Sequence, residues 1–224
     1  MSAPRTQLAG ELARIMIVDD HPTVREGLAG RVVSQPDMVV CGEAIDVREA
    51  LEKVSECRPD LMIVDISLKN SDGLELIKAV RARHKKVRLL VHSMYDESVY
   101  AERSLKAGAS GYVNKEADPG VVIEAMHEVL AGGIYLSPAM KSEILGRAVS
   151  HIPANVDPVA SLTDRQLEIF RLIAEGKTTS QIAARLQISV HTVETHRDNI
   201  KRRLNVSSMT ELTRMSVMWD SENR

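Results

Sequence analysis

The chain has 224 residues, 44% of them apolar and 27% charged, a formal net charge of −2 and only 3% aromatic residues. That length allows two ordinary cores. The near-neutral balance confines any polyanion-binding surface to a local patch, and the scarcity of rings argues against a stacking platform for single strands.

Residues 1–14 include Pro4, Arg5, Gln7, Gly10, Glu11 and Arg14 and lack the apolar core of a signal peptide. No later run approaches the roughly 20 apolar residues of a membrane span, so a cytoplasmic location is expected. Cys41 and Cys57 are too few for a disulfide scaffold and lack metal-ligand spacing; both read as reduced packing residues.

Five short runs, at 15–19, 39–43, 61–65, 87–92 and 111–113, read as strands. Segments of helical period separate them, the alternation that builds a parallel sheet. Val24, Leu28 and Val32 recur at fourfold spacing after the first. Asp46 and Glu49 form a capping box ahead of Ala50, Leu51 and Val54. Leu74, Ile77 and Val80 mark the next helix. Asp118-Pro119 is an N-cap with proline at the first helical position, opening a helix through Leu130 that Gly132-Gly133 ends.

A short helix is expected around Met140 to Val149, and His151 to Pro158, with two prolines and no period, reads as a linker. Beyond it the punctuation is helical. Thr163 and Gln166 make a capping box with Leu162 and Leu167 as its staple, and Thr178 and Gln181 make a second box. Ser189 caps a third helix through Leu204. The short turn 187–189 between the last two predicts helix-turn-helix geometry. A fourth helix over 208–219 carries Leu212, Met215 and Trp219 on one side, a stripe that suits a core or a contact with a second copy.

The fold class is therefore α/β: a five-stranded parallel doubly wound sheet of order 2-1-3-4-5, followed by a small all-α helix-turn-helix domain. Its parts are residues 14–132, a linker over 133–160, and 161–220. Four of the five strands end at a residue suited to phosphate or magnesium: Asp19-Asp20, Asp65, Ser93 and Lys115. That edge is where open α/β sheets hold ligands. Crowded carboxylates repel unless a hard divalent cation neutralises them, and Mg²⁺ suits oxygen ligands completed by phosphate. Asp65, alone at its strand end, is the candidate nucleophile for an aspartyl phosphate. Asp19 and Asp20 would hold the metal with it, Lys115 supplies a point charge, and Ser93 donates to the attached phosphoryl group. Singly, each of these is an ordinary turn, cap or solvated residue; the combination at four strand ends reads as a site. His21, after the acidic pair, reads as a helix-leading polar residue.

With these residues in view, 14–130 resemble the receiver domain of bacterial response regulators: Asp-Asp-His at 19–21, Asp65 followed by Asp72-Gly73, then Ser93, and Lys115 preceded by Ala107 to Tyr112. Residues 161–206 resemble the LuxR-type DNA-binding domain, and the pair resembles the NarL/FixJ subfamily. The resemblance implies phosphate donation to Asp65 by a cognate histidine kinase, a requirement for Mg²⁺, the Ser67 carbonyl as a metal ligand, and Ser93 with Tyr112 as reporters of phosphorylation. The chain departs from the pattern at Leu68-Lys69-Asn70-Ser71, where many relatives have a Met-Pro turn. Without proline that loop is less restricted.

On the third helix of the second domain, Val193, His196, Ile200 and Leu204 share one side, with His191, Thr195, Asp198 and Arg202 opposite. The outer face of such a helix enters the major groove. The LuxR resemblance places DNA contacts among Glu194, Thr195, Asp198, Lys201 and Arg202, with Thr178 and Thr192 near the backbone. Two acidic residues there repel phosphate but accept from cytosine N4, which implies weak monomer affinity and a homodimer over two half-sites of promoter DNA.

A phosphohydrolase using the same aspartate is the competing enzyme class. A haloacid-dehalogenase type would want an Asp two residues after the nucleophile, where Ser67 stands. No dinucleotide or Walker-type phosphate loop is present. A phospho-switch whose second domain binds protein instead of DNA is the third class, and the expectation for the chain itself is a regulator that is not an enzyme.

Overall fold

A computed structural model of the chain describes residues 12–68, 71–150 and 158–223, without the side chains of 71 and 147–150. Lys69-Asn70 and the expected linker at 151–157 therefore lie outside the described residues.

Five strands form one parallel sheet: β1 (Ala13–Val18), β2 (Met38–Ala44), β3 (Leu61–Val64), β6 (Arg88–Ser93) and β7 (Gly111–Asn114). Their order is β2-β1-β3-β6-β7, which is 2-1-3-4-5 among the long strands. Two short strands, β4 (Ser67–Leu68) and β5 (Ser71–Asp72), pair antiparallel as a hairpin after β3. The strand bounds differ from the sequence expectation by one or two residues, as terminal residues commonly do.

Successive side chains of a strand face opposite ways, and the core divides accordingly. Ile15 and Ile17 of β1 and Leu61 and Ile63 of β3 pack with Leu28 and Val32 of α1 (Pro22–Val33) and Met126 and Val129 of α5 (Pro119–Leu130). Met16, Val18, Met62 and Val64 face the other way, toward Val54 of α2 (Val47–Cys57), Ile77 of α3 (Gly73–Arg83) and Tyr100 of α4 (Glu97–Ala107). Burying each such aliphatic side chain contributes about 1.5–3 kcal/mol. The predicted caps form: Asp46 accepts from the Glu49 amide and Asp118 from the Gly120 amide.

Between β1 and β2 the register slips by one, so that Ile15 pairs with Val40 and Met16 with Gly42. Cys41 is the extra residue of this bulge. It is half-buried and interacts with Cys57, and burial raises its thiol to about 11. Both cysteines are free, and Cys41 packs against the core on the α2–α4 side of the sheet.

After α6 (Pro138–Ser150) a 3-10 turn, Pro158–Ser161, leads into four helices: α7 (Asp164–Ala174), α8 (Thr179–Leu186), α9 (Val190–Leu204) and α10 (Met209–Glu222). Thr163 with Gln166 and Thr178 with Gln181 form complete capping boxes. Gln187 ends α8 in the left-handed region at φ 53°, giving the tight turn into α9. Leu212 and Trp219 are buried, and Trp219 meets Phe170 of α7 edge-on with ring centroids 5.8 Å apart. The stripe on α10 is thus core within the chain. This core is continuous with the α2–α4 side of the sheet, so helical and α/β parts share one buried cluster.

Candidate functional site

β1 and β3 are neighbours with Val18 opposite Val64, so the residues after them, Asp19 and Asp65, emerge side by side. Both are buried, at 1% and 2% exposure. One ligand atom from each of Asp19, Asp20, His21 and Asp65 falls within 4.8 Å of the others. Lys115, carried by the end of β7, reaches across: its Nζ lies 2.6 Å from Asp19 Oδ2 and 2.7 Å from Asp65 Oδ2.

Burial is the largest influence on the Asp65 carboxyl and pushes it above the usual range; Lys115 pulls it back and Asp19 adds to the rise. Burial works against the Lys115 ammonium too, but the two carboxylates outweigh it and its pKa is raised. The lysine is therefore a fixed positive charge at neutral pH.

Asp20 Oδ1 is buried with no hydrogen-bond partner among the described residues, although His21 Nδ1 lies 3.0 Å away. Three crowded carboxylates, one oxygen of them unsatisfied, suit a hard oxygen-seeking cation. His21 leads α1 as its N-cap residue, its side chain 59% exposed, and its amide donates to Asp19 Oδ1 at 2.8 Å.

The loop after Asp65 is shaped by close backbone approach. The Ser67 amide donates to Asp65 Oδ1 at 3.2 Å and the Gly73 amide to the Ile66 carbonyl at 2.9 Å. A Cβ at Gly73 would lie 2.1 Å from the Asp65 carbonyl oxygen, so only glycine fits there. Ser93 and Tyr112 are fully buried beside one another. The Tyr112 hydroxyl donates to the Tyr95 carbonyl at 2.7 Å, and burial raises its phenol.

One participant was named from sequence only within the Asp72-Gly73 motif, and another was not singled out. Asp72, the N-cap of α3, accepts from the Leu74 amide at 2.8 Å and is pushed up to about 7, first by burial and then by Glu168 of α7. Arg171 of α7 is buried, with its guanidinium carbon 3.5 Å from the Tyr95 ring centroid. Its spacing from Leu167, four residues earlier in a helix whose apolar stripe is buried, was the available signal.

Asp72 gives a pH expectation. The folded chain keeps this proton where the unfolded one has lost it, so stability is greatest below the ordinary value of 3.8 and declines as pH rises through about 7. The melting temperature is expected to fall between pH 5 and pH 7 and to level off above that. Asp72→Asn, which keeps a capping oxygen, should flatten the decline, and an unchanged slope in a thermal series would refute this origin.

On the helical part, Thr178 caps α8 and is exposed. Ser189 caps α9 with its hydroxyl 2.8 Å from that of Thr192, so both hydroxyls sit at the helix start. Glu194, Thr195, Asp198 and Arg202 form an exposed outer face over the buried Val193, Ile200 and Leu204. Thr195 donates to the His191 carbonyl at 3.0 Å, and Lys201 pairs with Asp198 at 2.9 Å, holding that carboxyl below its usual range.

A parallel sheet with this acid, hydroxyl and ammonium edge, joined to a helix-turn-helix, defines a two-domain response regulator. Residues 15–127 match the family model described as the response regulator receiver domain, and residues 160–216 match that of the bacterial regulatory proteins of the luxR family. The chain belongs to the response regulators of the NarL/FixJ subfamily, and is a phosphorylation-dependent DNA-binding transcription regulator.

It is 35% identical to the transcriptional regulatory protein LiaR of Bacillus subtilis over 89% of this chain and 94% of that one. It is 29% identical to the nitrate/nitrite response regulator protein NarL of Escherichia coli over 96% and 97%. Among solved structures, a LuxR-family two-component response regulator from Aurantimonas sp. matches at 37% identity and a TM-score of 0.58, covering 62% of this chain and all of that one. RcsB of Salmonella enterica serovar Typhimurium, solved on a promoter with the phosphomimetic BeF3⁻, matches at 22% identity and a TM-score of 0.69 over 91% and 98%, a likeness of fold. These relatives are regulators and not metabolic enzymes. Among the described residues no helix is long and apolar enough to cross a membrane.

Proposed function

We propose that Asp65 is the phosphoacceptor and that a cognate histidine kinase is the donor. The observation that carries this reading is the Lys115 ammonium held 2.6 and 2.7 Å from Asp19 and Asp65, at the switch point of the sheet. An Asp65 oxygen attacks the phosphorus, the phosphorus–nitrogen bond to the donor imidazole breaks, and Asp65 keeps the phosphoryl group as an acyl phosphate. Lys115 faces the negative charge on the transferred oxygens, Ser93 donates to one of them, and Tyr112, hydrogen-bonded to the next loop, carries the change outward.

Asp19, Asp20, Asp65 and the Ser67 carbonyl would hold Mg²⁺, which supplies neutralising charge for the transferred oxygens. The only chemistry of the chain is its own phosphorylation and dephosphorylation. Ser67, two residues after the acceptor, offers no carboxyl to act as general acid, which disfavours a phosphohydrolase.

The receiver spans 14–132 and the DNA-binding domain 161–220, joined by 133–160. Thr178, Thr192, Glu194, Thr195, Asp198, Lys201 and Arg202 contact double-stranded promoter DNA, and two copies bind two half-sites from the cytoplasm. The test is binding to selected duplexes with and without acetyl phosphate: phosphorylation is expected to tighten it at least tenfold, and equal binding would overturn the coupling. Arg202→Gln should lower the slope of affinity against salt by about one phosphate contact. An unaltered slope would remove Arg202 from the interface.

A further inference from the structure

The DNA-binding domain sits on the receiver through α7 and α10. Lys78 of α3 and Arg103 of α4 both pair with Asp164 at the start of α7, at 2.8 and 3.1 Å. Arg103 also donates to the Leu162 and Ala160 carbonyls at 2.9 and 3.0 Å. The Asp96 amide, before α4, donates to the Asn223 carbonyl after α10 at 3.1 Å. At the centre lies Arg171: its guanidinium stacks on Tyr95 at 3.5 Å, lies 5.8 Å from the Tyr100 ring centroid, and donates to the Tyr100 hydroxyl at 3.3 Å. Asp72, Asp220 and Glu175 face it with opposite charge. Its Nε is buried with no hydrogen-bond partner among the described residues.

Tyr95 belongs equally to the acceptor site. Its amide donates to Ser93 Oγ at 3.5 Å, its carbonyl accepts from Tyr112 at 2.7 Å and from Asn114 at 3.1 Å, and its hydroxyl donates to Ser67 Oγ at 3.4 Å. One residue thus touches the surroundings of Asp65 and the buried cation of the other domain. The same docking leaves Glu194, Thr195, Asp198 and Arg202 of α9 exposed.

We propose that Arg171 on Tyr95 is the clasp by which the receiver holds the α7–α10 face of the DNA-binding domain, and that the clasp controls this face without covering the reading helix. The proposal rests on the reading of Asp65 as acceptor and specifies how that event reaches the other domain. A phosphoryl oxygen on Asp65 is a stronger acceptor for the Ser93 hydroxyl than anything near it now, because a charged acceptor makes the stronger hydrogen bond. To aim its proton at the phosphoryl group the Ser93 side chain rotates, and its Oγ, which accepts from the Tyr95 amide at 3.5 Å, moves off that contact. The ring shifts, and Arg171 loses its stack in a place where one of its donors is already unmet. Burying the guanidinium with one donor unmet carries a desolvation cost that offsets part of the docking energy, which suits a contact that must open.

The test uses the full chain. Arg171→Gln removes the cation and Tyr95→Leu removes its platform from the receiver side, so that misfolding of one variant does not end the experiment. Amide exchange over 96–103 and 164–172 is followed with and without beryllofluoride, and the fold is checked by thermal melting. Either folded variant, untreated, should exchange at least tenfold faster there than untreated wild type, matching treated wild type, and Arg171→Lys should restore part of the protection. Folded variants that exchange like untreated wild type would overturn the clasp. Wild type that ignores beryllofluoride while the variants open would instead overturn the acceptor reading and leave the contact standing. Affinity for a random duplex should stay within twofold between untreated wild type and Arg171→Gln; a tenfold gain would show that docking covers the reading face.

Discussion

Asp65→Asn is expected to abolish phosphoryl incorporation. Incubated with labelled acetyl phosphate, the wild-type chain should gain a single phosphoryl group labile to base and to hydroxylamine, and the variant should fall by about 100-fold or more, the scale of losing a nucleophile. Asparagine keeps the shape of the side chain and can still accept from the Ser67 amide, so the cradle survives. What it lacks is an anionic oxygen to attack phosphorus. The Lys115 ammonium keeps Asp19 as a partner, so the variant should melt close to wild type. Equal labelling of the two proteins would sink the assignment, and with it the roles given to Ser93 and Lys115.

The second large effect is expected at Gly73. An alanine methyl would stand 2.1 Å from the Asp65 carbonyl oxygen and 2.8 Å from Ile66 Cα. Both are backbone atoms, so no side-chain rotation relieves the clash and the acceptor loop must move. Overpacking of this kind costs about 1–3 kcal/mol, occasionally more. Gly73→Ala should therefore lower the urea midpoint and also slow labelling of Asp65, because the displaced atoms belong to the acceptor itself. A variant with normal labelling and a normal midpoint would mean that the loop yields freely.

The acceptor edge was legible because four of the five strands hand a polar residue to the same end of the sheet, and strand order follows from right-handed crossovers. Asp19, Asp65 and Lys115 meet for that reason, from three separate strands. The helix caps were legible because Thr163, Thr178 and Ser189 act on amides three residues away. Long-range partners have no such local signature. Arg171 carries a charge that suggests solvent, yet it lies between two tyrosines from a segment seventy residues earlier. The α10 stripe was equally compatible with a core and with a second copy, and only the meeting of Trp219 with Phe170 decides its place in the fold. The bulge at Cys41 was also invisible, since one extra residue in an edge strand leaves its apolar pattern almost intact.

The exposed outer face of α9 bears on timing. A regulator whose reading helix is open to solvent while its domains are docked can associate with nonspecific duplex in either state, sliding and hopping along it. Under the proposed reading of α9, activation is expected to act on molecules already associated with nonspecific duplex, so that the delay between signal and occupied promoter reflects local opening and pairing more than a fresh three-dimensional search from bulk solution.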